Sequence, residues 1–223
     1  MRCFHVKICG ITSAADAQVA ADAGADAVGL NFYPKSPRFV SLEQARAIVR
    51  ALPSSTVKVG VFVNSSPGDV RRVFEDVGLD LVQLHGDETS RDIERLKDLP
   101  VIRALRLTGA GLLPLVDYVT ECQNLGVVLE GVLIDSFRRG VYGGTGLTAD
   151  WPLLSPLNGA VMGVPLILAG GLSPANVAAA IRQVRPASVD TASGVESSPG
   201  QKDPILVRQF VTEARKAFEQ SKH

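Results

Sequence analysis

Aromatic residues are scarce in this chain of 223 residues, and its charges cancel. One tryptophan, three tyrosines and eight phenylalanines amount to 5% aromatics in a chain that is 46% hydrophobic, so the core has to be built from Val, Leu, Ile and Ala. Lysine plus arginine number 23, and so do aspartate plus glutamate. That balance supplies neither the basic footprint of a nucleic-acid binder nor a polybasic patch for a membrane surface. Cys3, Cys9, Cys122 and the three histidines form no C-x-x-C pair and no ligand spacing, which argues against a zinc site. No apolar run approaches the roughly 20 residues of a membrane helix, and Met1-Arg2-Cys3-Phe4-His5 holds no apolar leader region. The class these absences leave is a cytoplasmic enzyme with reduced thiols.

What the chain does have is a regular beat of apolar run, glycine or polar break, and helical pattern. Val6 to Cys9 reads as a first strand that turns on Gly10, with Thr12 or Ser13 placed to cap a helix over Ala14 to Ala23. Further strands are predicted at Ala27–Phe32, Val57–Val63, Leu79–Leu84, Val101–Leu107, Gly131–Asp135, Val164–Ala169 and Ala187–Asp190. Helices are predicted over Leu42–Leu52 with Ser41 as cap, from about Gly68 to Val77, through Lys97, over Leu112–Cys122, weakly within Leu154–Met162, over Ser173–Val184 with Pro174 in its first position, and over Pro204–Glu219. Eight strand-then-helix units imply parallel strands with crossover helices, and eight is the number that closes a (β/α)8 barrel. An open doubly wound sheet would be expected to carry G-x-G-x-x-G after its first strand, and none is there. No linker or composition shift divides the chain, so residues 1–223 read as one barrel domain.

In such a barrel the carboxyl ends of the strands share one face, and that face holds the chemistry. Cys9 ends strand one, Asn31 and Arg38 follow strand two, His85 follows four, Arg106 lies near the end of five, and Asp135 ends six. Gly170-Gly171 follows seven, and Asp190 with Ser193-Gly194 follows eight. Each has a plain alternative. Cys9 could pack as a small hydrophobe, Gly170-Gly171 could be a tight turn, Asp135 a helix cap, Arg38 a solvated loop charge, and His85 a packed strand-end ring. Together they offer a thiol whose thiolate is the reactive form, a carboxyl group whose burial would raise its pKa toward a general acid, and glycine turns whose backbone N–H groups can approach a phosphate. Lys7 alternates with Ile8 onto the barrel side of strand one, where its charge would favour a Cys9 thiolate.

Lys7-Ile8-Cys9-Gly10-Ile11, Ser36-Pro37-Arg38, Gln83-Leu84-His85-Gly86-Asp87-Glu88, Gly143-Gly144-Thr145-Gly146, Leu168-Ala169-Gly170-Gly171-Leu172 and Ser193-Gly194-Val195-Glu196, followed by Pro199-Gly200-Gln201-Lys202-Asp203, resemble the phosphoribosylanthranilate isomerase family of tryptophan biosynthesis. The motifs stand in family order from Lys7 to the last helix. The resemblance implies an Amadori rearrangement of N-(5-phosphoribosyl)anthranilate without metal or organic cofactor, in a monomer or homodimer whose only implied partner is that phosphosugar-anthranilate substrate. It makes Asp135 the general acid and Cys9 the general base, gives the anthranilate carboxylate to Arg38, and gives the phosphate to Gly170, Gly171, Ser193 and Gly194; His85 and Asp190 join them as substrate contacts. Three departures stand out: Ala192 lacks a hydroxyl, Asn31 replaces a more apolar residue near the anthranilate, and Glu121 to Glu130 reads as a surface elaboration. A related phosphosugar barrel would need a catalytic lysine and glutamate at strand ends, and no such pair stands beside the phosphate loops. A barrel that only binds phosphate ligands would have no reason to keep Cys9 and Asp135 together.

Overall fold

A computed structural model describes residues 4–106, 111–135 and 151–221; Cys3, Leu107 and the loop after the sixth strand, with its Gly143-Gly144-Thr145-Gly146 motif, lie outside the described residues. The strands β1 (Val6–Cys9), β2 (Ala27–Asn31), β3 (Val57–Phe62), β4 (Leu81–Leu84), β5 (Val101–Arg106) and β6 (Leu129–Asp135) pair in parallel in chain order. A two-residue strand, β7 (Ala160–Val161), then precedes β8 (Val164–Leu168) and β9 (Ser188–Thr191). β6 pairs with β8, β8 with β9, and β9 returns to β1 with Lys7 opposite Asp190, which closes an eight-stranded barrel.

Residue alternation decides what lies inside. Ala27, Val59, Leu81, Ile102, Leu133 and Ile167 fill the barrel, while their neighbours Val28, Leu30, Val82, Val132, Ile134 and Leu168 point outward under the helices. Those helices are α1 (Ala14–Asp22), α2 (Leu42–Ala51), α3 (Pro67–Val77), α4 (Ser90–Glu94), α5 (Leu113–Asn124), α6 (Trp151–Leu154), α7 (Val177–Val184) and α8 (Pro204–Gln220). Ser13 rather than Thr12 caps α1, and Ser41 with Gln44 forms a capping box on α2. A small hairpin, β10 (Glu196–Ser198) with β11 (Gln201–Lys202), follows β9 across a 3-10 turn over Ser193–Val195. Among the described residues no helix is long and apolar enough to cross a membrane.

Four expectations are corrected. The helix through Lys97 stops at Glu94, because Leu96, Lys97 and Leu99 each donate to the carbonyl three residues back before Pro100 ends the run. The short helix expected within Leu154–Met162 is a single 3-10 turn over Ser155–Leu157 that continues α6, and β7 then makes a hairpin with β8 over Met162 and Gly163, whose φ values of 49 and 83 suit a two-residue turn. The helix expected from Ser173 begins at Val177, since Asn176 accepts from the Ser173 N–H and donates to the Gly171 carbonyl, closing a turn first. The stretch from Glu121 to Glu130 is no surface elaboration: Cys122, Val127 and Leu129 are buried in the core.

Candidate active site

Strand polarity gathers the predicted residues at one mouth. Cys9, Asn31, Arg38, His85, Asp135 and Asp190 line a single cleft of ≈ 700 Å³, open to solvent, that Gly170, Gly171 and Ser193 complete on the far side. Arg106 does not line it. Neither does Gly194, which packs behind the turn after β8: a Cβ there would overlap the Leu172 carbonyl, which accepts from the Thr191 hydroxyl at 2.7 Å.

The thiol sits over a buried ion pair. Lys7, two residues before Cys9 on the same face of β1, has no solvent exposure, and its Nζ lies 2.9 Å from Asp190 Oδ2. Burial pushes the Cys9 thiol up; the ammonium groups of Lys7 and Lys202 oppose that and Asp190 adds to it, leaving it above its ordinary value. Burial alone would depress Lys7, but the negative charges of Asp190 and Cys9 outweigh it and hold the ammonium charged. On β2 a Cβ at Gly29 would fall 2.6 Å from Cys9 Sγ, so glycine there leaves room for the thiol. The Oδ1 atom of Asp190 is buried without a hydrogen-bond partner among the described residues.

Across the mouth, Asp135 is buried at the end of β6, and His85 Nε2 lies 3.4 Å from its Oδ2. Gln83, fully buried one alternation below His85, places its amide Nε2 3.0 Å from His85 Nδ1. When that amide donates, a neutral imidazole carries its proton on Nε2, toward Asp135. The loop after β4 is braced from outside the barrel. Glu88 accepts from the backbone N–H groups of Asn64 at 2.7 Å and Gly86 at 2.9 Å, and from Arg103 at 2.8 Å. Arg103 lies over the Tyr118 ring, 5.2 Å from its centroid.

Arg38 is neither a solvated charge nor a free fork. Its Nε and Nη2 donate to the two carboxylate oxygens of Glu196 at 2.8 and 2.7 Å, which occupies one bidentate edge of the guanidinium and leaves the Nη1–Nη2 edge. Asn31 is occupied in shaping that loop: it accepts from the Tyr33 N–H at 2.8 Å and donates to Ser36 Oγ at 3.2 Å. Gly170 and Gly171 have φ of 80 and 63, a left-handed pair that side chains resist. With the 3-10 turn at Ser193 they form one corner of the cleft, after the last two strands of the barrel.

Sequence reasoning left Gln83, Arg103, Glu196 and Lys202 without roles. Gln83 was within reach, because it shares strand parity with His85. Arg103 faces outward from β5, and the partners of Glu196 and Lys202 exist only in three dimensions.

Fold and mouth define the class: a (β/α)8-barrel enzyme with its cleft at the carboxyl ends of the strands. Residues 6–213 match the family described as N-(5'-phosphoribosyl)anthranilate (PRA) isomerase. The chain belongs to that isomerase family, enzymes of tryptophan biosynthesis. It is 47% identical over 212 residues to the N-(5'-phosphoribosyl)anthranilate isomerase of Rubrobacter xylanophilus, covering 94% of this chain and 98% of the relative. The crystal structure of phosphoribosyl anthranilate isomerase from Thermotoga maritima superposes with a TM-score of 0.82 at 38% identity, covering 96% of this chain and 99% of that one. Another similar structure, at a TM-score of 0.78 and 37% identity with 96% and 99% coverage, is a phosphoribosyl anthranilate isomerase in complex with reduced 1-(o-carboxyphenylamino)-1-deoxyribulose 5-phosphate.

Proposed function

We propose that the family's rearrangement runs in this cleft with Asp135 as general acid and Cys9, as thiolate, as general base. Asp135 protonates the furanose ring oxygen of N-(5-phosphoribosyl)anthranilate, and the C–O bond breaks to leave a Schiff base. Cys9 takes the proton from C2, and the resulting enolamine tautomerises to the ketone of 1-(2-carboxyphenylamino)-1-deoxyribulose 5-phosphate. The observation that carries the reading is the placement of Cys9 on β1 and Asp135 on β6, facing one cleft from separate sides of the barrel. Two charged ends of the ligand fit the same frame. The Nη1–Nη2 edge of Arg38 takes the aromatic carboxylate, and the backbone around Gly170, Gly171 and Ser193 takes the phosphate, with Gly194 shaping the turn. Asp190 Oδ1 accepts from a substrate hydroxyl or amine, and His85 steadies Asp135.

Turnover of freshly made phosphoribosylanthranilate, followed by loss of its fluorescence, tests the activity; a purified protein that leaves the fluorescence unchanged refutes it. Cys9→Ser should lower kcat on the order of 10² to 10⁴, the range for a lost general base, and an unaltered kcat would remove Cys9 from the mechanism. Arg38→Ala should mainly raise KM; an effect confined to kcat would contradict a ground-state carboxylate contact.

A further inference from the structure

Glu196 and Lys202 flank the Pro199-Gly200 turn of the last motif, and neither lines the cleft. Both are nevertheless out of water: their side chains are 4% and 0% exposed. The Lys202 ammonium donates to Glu196 Oε1 at 2.7 Å and to the Ala192 carbonyl at 3.1 Å, while Arg38 takes both oxygens of the same carboxylate. The β10–β11 hairpin that carries them is itself anchored. The Thr12 hydroxyl donates to the Gly200 carbonyl at 2.6 Å, and a Cβ on Gly200 would fall 2.9 Å from the Pro37 carbonyl. Desolvating three charges is poor value as a stabilising device. Its geometric product is specific, because a guanidinium gripped along one edge cannot rotate.

We infer that Glu196 is a positioning residue: backed by Lys202, it holds the Nε–Nη2 edge of Arg38 so that the Nη1–Nη2 edge meets the aromatic carboxylate of the substrate. This rests on the reading of Arg38 given above. Without Glu196, the substrate itself must order a long, flexible side chain.

Steady-state kinetics on Glu196→Gln, Arg38→Ala and the double variant, with inorganic phosphate as a competing probe of the other end, test the idea. Glu196→Gln should raise KM about 2- to 12-fold, the cost of ordering one such side chain, with the effect carried by KM rather than kcat. Added to Arg38→Ala it should raise KM no further, and the inhibition constant of phosphate should hold. A raised KM in Arg38→Ala with none in Glu196→Gln overturns the proposal. So does an equal Glu196→Gln effect in both backgrounds, or a matching loss of phosphate affinity, which would mean a loosened mouth. An unaltered KM in Arg38→Ala instead overturns the Arg38 reading itself. Should Glu196→Gln not yield folded protein, Glu196→Gln with Lys202→Met keeps the cluster's net charge and takes the same measurements.

Discussion

Beneath the thiol stands a lysine that water does not reach, and its partner Asp190 comes from the other end of the chain. Lys7 is kept charged by two negative neighbours, and its ammonium opposes the upward push that burial exerts on Cys9 from an ordinary value of 9.0. Removing that ammonium must move Cys9 further up, so less thiolate is present at any given pH. Lys7→Met should therefore shift the pH profile of Cys9 alkylation by iodoacetamide to higher pH, read by peptide mass so that Cys122 and Cys3 are counted apart. A profile that stays in place, or moves down, would show that Lys7 does not tune the thiol. Parity along β1 was enough to send Lys7 inward from the sequence. Asp190 was legible only as a strand-end acid, because the register of β9 against β1 is a tertiary fact.

The elements around the mouth divide in the same way. Gly170-Gly171 could be read as a turn because two adjacent glycines after an apolar run tolerate positive φ. The hairpin of β10 and β11 showed only its Pro199-Gly200 turn in the sequence, and the partners of its Glu196 did not follow from it. Burial raises that carboxyl group, but the hydrogen bonds and charges of Arg38 and Lys202 outweigh it and hold it below its ordinary 4.5. A depressed acid contributes stability that is fully present above the unfolded value and is lost as pH falls through the folded one. Between pH 5 and pH 3 the urea midpoint of the unmodified protein should thus fall further than that of Glu196→Gln. Parallel declines would show that this ion cluster contributes nothing to acid sensitivity.

Across the whole molecule, the proposed acid, base and two anion contacts come from separate strands and strand-end loops of the barrel, so a ligand that spans them should tie the fold together. Reduced 1-(o-carboxyphenylamino)-1-deoxyribulose 5-phosphate at a hundred times its Kd should add about 2.7 kcal/mol, or a rise in Tm of about 5–11 °C for a chain of this size. Arg38→Ala at the same ligand concentration should show a smaller rise, and no shift in the unmodified protein would deny that the cleft binds this ligand. By itself the sequence determined the eight-unit beat, the inward facing of Lys7, the cap of α2 and the residues at each strand end, because these follow from local periodicity and side-chain chemistry. Tertiary structure decided which charges meet. Lys7 with Asp190, His85 with Asp135 and Arg38 with Glu196 join residues 183, 50 and 158 positions apart, and only closing the barrel and folding the last hairpin against the loop after β2 brings them within reach.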